Sequence, residues 1–152
     1  MSILSTKGKY GLRLLMHLAE RLGQGPVDLR SIAEAEGIPE KYLSKLAARL
    51  VAAGFLRSVR GAYGGYELAL SPDEVDILAA VEALEGPLSL VDCRDSPGTC
   101  RSGAGRPASC PRSQGCEARK LWNGLEETMR AYLSARKLSS LAASSGLPEY
   151  YI

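Results

Sequence analysis

The four cysteines of this 152-residue chain, Cys93, Cys100, Cys110 and Cys116, fall within 24 consecutive positions with the spacing C-x6-C-x9-C-x5-C. Thiolates gathered on one segment bind soft or borderline metals. A structural zinc site holds two ligands on a tight C-x2-C or C-x4-C knuckle, and this segment has no such pair. Wider spacing suits a larger inorganic core wrapped by a loop, so an iron–sulfur cluster, two-iron or four-iron (2Fe-2S or 4Fe-4S), is expected ahead of zinc. It is also expected ahead of two disulfides, which a reducing compartment would open. The stretch between the thiols points the same way. Residues 94–115 include Pro97, Gly98, Gly103, Gly105, Pro107, Pro111 and Gly115, and apart from the cysteines no side chain there is larger and more apolar than alanine. Such a segment lacks the apolar surface to order itself by packing. A group bound to its thiols is the economical source of order.

A second set of residues suits a different chemistry, the neutralising of phosphates and the reading of base edges. Lys41, Ser44 and Lys45 open an apolar-periodic stretch, with Glu40 before them and Arg49 further along as a phosphate contact or a solvated charge. Arg60 follows a β-prone run and is placed to enter a minor groove, where narrow A·T-rich tracts concentrate negative potential. Lys7, Lys9 and Tyr10 could add contacts to the DNA backbone. Any one Lys or Arg is more often a solvated surface charge, so the constellation carries the expectation.

Helices and a hairpin must position these groups. Over 7–22, Leu14, Leu15, Leu18 and Leu22 recur at three- and four-residue intervals behind Ser5 or Thr6 as a cap, which predicts an amphipathic helix. Gly23, Gly25 and Pro26 break it. Asp28 can cap a short second helix through Leu29, Ile32 and Ala33 that Gly37 ends. Pro39 suits the first turn of a third helix over 39–53, with Tyr42, Leu43, Leu46, Ala47 and Leu50 on its apolar face and Gly54 as its stop. Two helices joined by a tight glycine-containing turn read as helix-turn-helix, the second being the recognition helix. Short β-prone runs at 55–59 and 66–70 flank a glycine-rich turn with Arg60 at its tip and Arg57 on the same element. That order of elements is a winged helix.

Asp76 then caps a compact apolar helix over 77–84, stopped by Gly86 and Pro87. Beyond the cysteines, Leu121, Leu125, Met129, Tyr132 and Arg136 keep helical spacing, and Trp122 and Leu133 widen the stripe. A helix of about five turns with that face is expected to pack against a second copy of the chain. Residues 139–145 read as one short capped turn and 146–152 as a loosely docked tail.

Hydrophobic residues at 45% and charged residues at 24% exclude wholesale disorder, and the length suits one domain with a modest appendage. No run approaches the roughly 18 apolar residues of a membrane span, and no signal-sequence pattern opens the chain, so a cytoplasmic protein is expected. Residues 1–70 carry ten Lys/Arg against six Asp/Glu, residues 71–92 none against six, and the remainder nine against five. A basic first part followed by an acidic connector is the asymmetry expected when one end meets a polyanion. Catalysis finds little support. The sole histidine, His17, lies beside Met16 and Leu18 within the first helix, and no glycine-rich phosphate loop or carboxylate pair accompanies it. Neither an enzyme nor a small-molecule substrate is expected.

The segments STKGKYGLRLL, GIPEKYLSKLAARLVAAGFLRSVRGAYGGYELA and VEALEGPL, with a cysteine segment ending in CEARKLW, resemble the IscR-type winged-helix transcription regulators over residues 4 to about 140. The most specific pieces are SVRG-x-x-GGY and the Cys-x5-Cys ahead of a Leu-Trp helix. The resemblance implies a homodimeric DNA-binding regulator, joined through the long helix, that senses iron–sulfur status, iron, nitric oxide or redox stress through a cluster held by three cysteines. It implies Cys93 as first ligand and Cys110 and Cys116 as second and third. It implies Arg60 in a minor groove and Lys41, Tyr42 and Ser44 at DNA-facing positions. Arg119 stands where some relatives place a histidine ligand, and Lys9 where others place an aspartate. Cys100 is the remaining candidate for a fourth ligand, and is equally open as the second ligand or as a resolving thiol. Ala62-Tyr63 stand where Pro-Gly is common, and Ser44 where some relatives carry Glu.

The expected fold is mainly α with a small β-hairpin wing. A winged helix-turn-helix DNA-binding domain is expected over 1–90, a cluster-binding cysteine loop over 91–116, a dimerisation helix over 117–137 and a C-terminal tail over 138–152. The expected function is that of a homodimeric regulator, acting as a repressor on a double-stranded operator, with no membrane partner. Two other readings stay open: a cluster-free thiol–disulfide switch in which Cys100 pairs with another loop cysteine, and a winged helix serving as a protein-interaction module.

Overall fold

The computed structural model describes residues 5–90, 99–101, 107–109 and 116–142. In chain order the elements are α1 (Thr6–Glu20), α2 (Leu29–Glu36), α3 (Glu40–Ala52), a hairpin of β1 (Leu56–Val59) and β2 (Gly65–Leu68), α4 (Ile77–Glu85), a second hairpin of β3 (Thr99–Arg101) and β4 (Pro107–Ser109), α5 (Glu117–Ser134) and α6 (Leu138–Ala142). Local chemistry fixes the helix starts. Ser5, Asp28 and Asp76 each accept a backbone N–H from the first turn of α1, α2 and α4, satisfying donors that a helix leaves unpaired. Pro39 stands just ahead of α3 with an extended ψ of 127°, so that helix begins one residue later than expected. Between α2 and α3, Gly37 adopts a left-handed φ of 63° and donates back to Ala33 and Glu34. That conformation suits glycine and makes the helix-turn-helix corner tight.

The chain divides into two compact units, Met1–Pro87 with Leu133–Ile152 and Leu88–Tyr132. In the first, Leu14, Leu15, Ile32, Leu43, Leu46, Leu50, Leu84 and Leu138 are buried, drawing one core from α1, α2, α3, α4 and α6. Each such side chain removed from water contributes about 1.5–3 kcal/mol. β1 and β2 pair antiparallel with Leu56 opposite Leu68 and Val59 opposite Gly65. Val27, ahead of α2, adds a bridge to Tyr66 through two 2.9 Å backbone hydrogen bonds. The wing is therefore tied at its base to the helix-turn-helix.

Two expectations for this unit are corrected. Leu22, assigned to the apolar face of the first helix, is 57% exposed, because α1 ends at Glu20 and the chain turns with Leu22 N–H bonded to Ala19 O. Leu138, at the start of the segment read as a tail, is fully buried, and α6 packs on α1. Its five residues are too few to show a period in sequence. The chain re-enters beside the start of α4, where Ile77 N–H donates to Arg136 O, Leu138 N–H donates to Val75 O, and Lys137 pairs with Asp76 at 3.4 Å.

The second unit is built differently. β3 and β4 pair with Thr99 opposite Ser109 and Cys100 opposite Ala108. Backbone pairing needs no apolar side chains, so this hairpin forms within a segment expected not to order itself by packing. On α5 the buried residue is Glu126, whose carboxylate accepts the Leu90 N–H at 3.2 Å. Leu121, Trp122, Leu125 and Tyr132 are exposed on the same helix. Arg136, counted in that stripe, lies past the end of α5 at Ser134. Among the described residues, no helix is long and apolar enough to cross a membrane.

Candidate nucleic-acid interface and thiol segment

The solvent side of α3 presents Lys41, Ser44 and Lys45, all exposed, while Leu43, Leu46, Ala47 and Leu50 face the core. Tyr42 is half-buried, and its ring meets that of Tyr10 on α1 edge-on, with centroids 6.0 Å apart. Lys9 Nζ lies 5.8 Å from the centre of the Tyr10 ring, within cation–π range. Two of the expected backbone contacts on α1 are thus brought to the recognition helix. Lys7 is half-buried in the first turn of α1. Arg60 is exposed immediately after β1.

Two arginines along this surface also have partners within the protein. Arg49 Nη1 donates to Leu84 O at 2.8 Å, bridging α3 to the end of α4. A carbonyl at a helix C-terminus is a favourable partner for a cation. Arg57 lies directly opposite Glu67 and pairs with it at 2.8 Å. The wing therefore offers Arg60 rather than two free cations.

The mount of this surface depends on a residue that sequence reasoning passed over. The Glu85 carboxylate, at the last position of α4, accepts the Ser5 N–H, the Ser5 hydroxyl and the Gly8 N–H, each at 2.8 Å. Burial pushes this carboxyl up, yet the Ser5 hydroxyl, the two N–H donors and the Lys7 charge outweigh it and hold Glu85 below its usual range. A carboxylate at a helix N-terminus is favoured by unpaired donors and dipole together. Leu84 and Glu85 thus fasten the end of α4 to both α3 and α1. Sequence spacing gives no clue to this contact.

His17 is buried behind the helix-turn-helix corner. Its Nδ1–H donates to Glu36 at 2.9 Å and its Nε2 accepts from Arg21. Arg13 also binds Glu36, donating to the carboxylate at 2.9 Å and to Glu36 O at 2.8 Å. An arginine only donates, which assigns the imidazole proton to Nδ1. This network clamps α1 to the C-terminus of α2 and is structural.

Cys116 is half-buried directly before α5, and its carbonyl accepts the Lys120 N–H at 3.3 Å. Cys100 occupies the middle of β3, with its side chain outside the described residues, as are Cys93 and Cys110 entirely. Among the described residues no cluster of His, Cys, Asp and Glu assembles a metal site. The β3–β4 register sets Ser109 opposite Thr99.

Residues 4–144 match the family model for Rrf2, an iron-dependent transcriptional regulator. The chain is 35% identical to the HTH-type transcriptional regulator CymR of Bacillus subtilis over 98% of its length and 96% of the relative's. It is 31% identical to the HTH-type transcriptional regulator IscR of Aliivibrio salmonicida, over 91% and 76%. The solved structure of CymR, the global cysteine regulator of B. subtilis, superposes with a TM-score of 0.75 at 33% identity, covering 95% of this chain and 98% of that one. An oxidised form of Staphylococcus aureus CymR superposes with a TM-score of 0.71 at 32% identity, covering 100% and 98%. With nearly every residue of the winged helix, the cysteine segment and the long helix inside these matches, the chain belongs to the Rrf2 family of transcriptional regulators.

Proposed function

We propose that this protein is a homodimeric repressor that grips operator DNA with α3 and the wing and adjusts that grip through its cysteine segment, which holds an iron–sulfur cluster. One observation carries the reading. The excursion bearing all four cysteines leaves after the C-terminal end of α4 and returns beside its N-terminal end, and α4 is the helix fastened to α1 and α3 through Glu85 and Leu84. Any change in how the excursion holds its two ends bears on α4, and through α4 on the tilt of the recognition helix. Half-sites about one helical turn apart make a dimer sensitive to such tilts.

The donor set fits the cluster. Cys93, Cys100, Cys110 and Cys116 supply thiolates, the ligand type that iron–sulfur cores take. When bound, such a cluster supplies a centre that iron supply, oxidants and nitric oxide alter. The chain's part is to gather the thiols, exclude a competing disulfide and transmit the order of the segment to α4. Dimerisation is supported by the exposed stripe Leu121, Trp122, Leu125 and Tyr132, a face that a symmetric partner can cover.

A second reading is favoured by the oxidised form of S. aureus CymR. In it, Cys100 and another cysteine of the segment give up two electrons and two protons to an oxidant and form a disulfide, with no metal. Iron and acid-labile sulfide measured on protein purified without oxygen separate the two. Stoichiometric iron and sulfide, lost in Cys110→Ser, support the cluster; neither metal nor sulfide, with a Cys100 disulfide mapped after oxidation, supports the switch.

A further inference from the structure

The wing tip carries a residue that neither the fold nor the thiol chemistry uses. Tyr63 is 95% exposed, and none of the described residues packs against its ring. Two glycines put it there. Gly64 N–H donates to Gly61 O at 3.0 Å, closing a turn with Ala62 and Tyr63 at its apex. Gly61 has a φ of 121°, which side chains rarely adopt, and a Cβ on Gly64 would stand 2.2 Å from Val59 O. The turn is thus narrow, and its apex side chains project into solvent. Around the phenol the tip is free of acid: residues 60–66 hold Arg60 and no carboxylate, and Glu67, the next acid along, is engaged by Arg57. A guanidinium and a phenol on a thin, acid-free projection beside the recognition helix match a sugar–phosphate wall, which offers acceptor oxygens and apolar sugar edges together.

We propose that Tyr63 is a DNA contact of the wing: its ring lies along the sugar edge of the minor groove that Arg60 enters, and its hydroxyl donates to a phosphate oxygen. The proposal rests on the DNA-binding reading above. It makes a distinctive forecast, because a neutral phenol releases no counterion whereas a guanidinium does.

The test uses a duplex selected from a randomised pool by the purified wild-type protein. Tyr63→Ala is expected to weaken binding to that duplex by about three- to tenfold per protomer, the scale of one neutral hydrogen bond with its packing, with the slope of log affinity against log salt unchanged. Tyr63→Phe should fall between the two, and Arg60→Ala should lower the slope by about one unit. Hydroxyl-radical footprinting should show sugars in the flanking minor groove protected by wild type and exposed with Tyr63→Ala. Wild-type affinity and footprint in Tyr63→Ala, with Arg60→Ala weakened, would overturn the contact alone, as would a changed salt slope in Tyr63→Ala. Failure of wild type to select any duplex would overturn the DNA-binding reading and this contact with it.

Discussion

The two units of the chain obtain their order from different sources. In Met1–Pro87 with Leu133–Ile152, buried apolar side chains from five helices meet in one core, and the polar groups at its edges are capped or clamped. In Leu88–Tyr132, the buried residues described are Leu88 and Glu126, the hairpin rests on backbone pairing, and four large apolar side chains of α5 face solvent. On the proposed function, the first unit reads the operator and the second responds to what it binds.

Substitutions can break or sharpen that contrast. The largest effect is expected from Leu43→Ala on the inner face of α3, which should lower the free energy of unfolding by about 2–5 kcal/mol in chemical denaturation, because a fully buried leucine leaves a cavity. Trp122→Ala on the exposed stripe of α5 should instead act on association, weakening the dimer by about thirtyfold or more in sedimentation, the scale of an interface hot spot. A loss of fold with Trp122→Ala and no change in association would erase the distinction.

Gly11→Ala should cost about 1–2 kcal/mol. A Cβ there would stand 2.2 Å from Leu84 Cδ1, and the overpacking outweighs the helix propensity that alanine gains. Smaller again is Glu85. Its folded-state acidity is strengthened, so its stabilising contribution is present above the ordinary glutamate range and is lost as pH falls through the lowered value. Melting from neutral pH to about pH 4 should fall less steeply in Glu85→Gln than in wild type; parallel curves would remove Glu85 from the mount. Smallest is Lys45→Ala, which should leave the fold intact and lower the salt slope of DNA binding by about one unit.

What could be read from the residues was what depends on near neighbours. Ser5, Asp28, Asp76 and Gly37 announced their caps because the groups they satisfy lie within one turn. The recognition helix and wing followed from apolar period and glycine placement. The contacts that spacing did not reveal share a cause: Arg49 meets Leu84 O across 35 positions, and Glu85 meets Ser5 across 80. Arg57 was hidden by strand register, which places Glu67 opposite it. The β3–β4 hairpin escaped notice because three-residue strands with no apolar alternation leave no periodic trace.

The central claim is that a group held by the thiols orders the excursion and that α4 passes this order to the reader. Amide hydrogen exchange on one anaerobic preparation, before and after removal of iron, tests it directly. Faster exchange on removal is expected within residues 88–132 and at both ends of α4, around Asp76–Ile77 and Leu84–Gly86, with the centre of α3 unchanged. Identical exchange in the two states, despite complete loss of iron, would contradict the account.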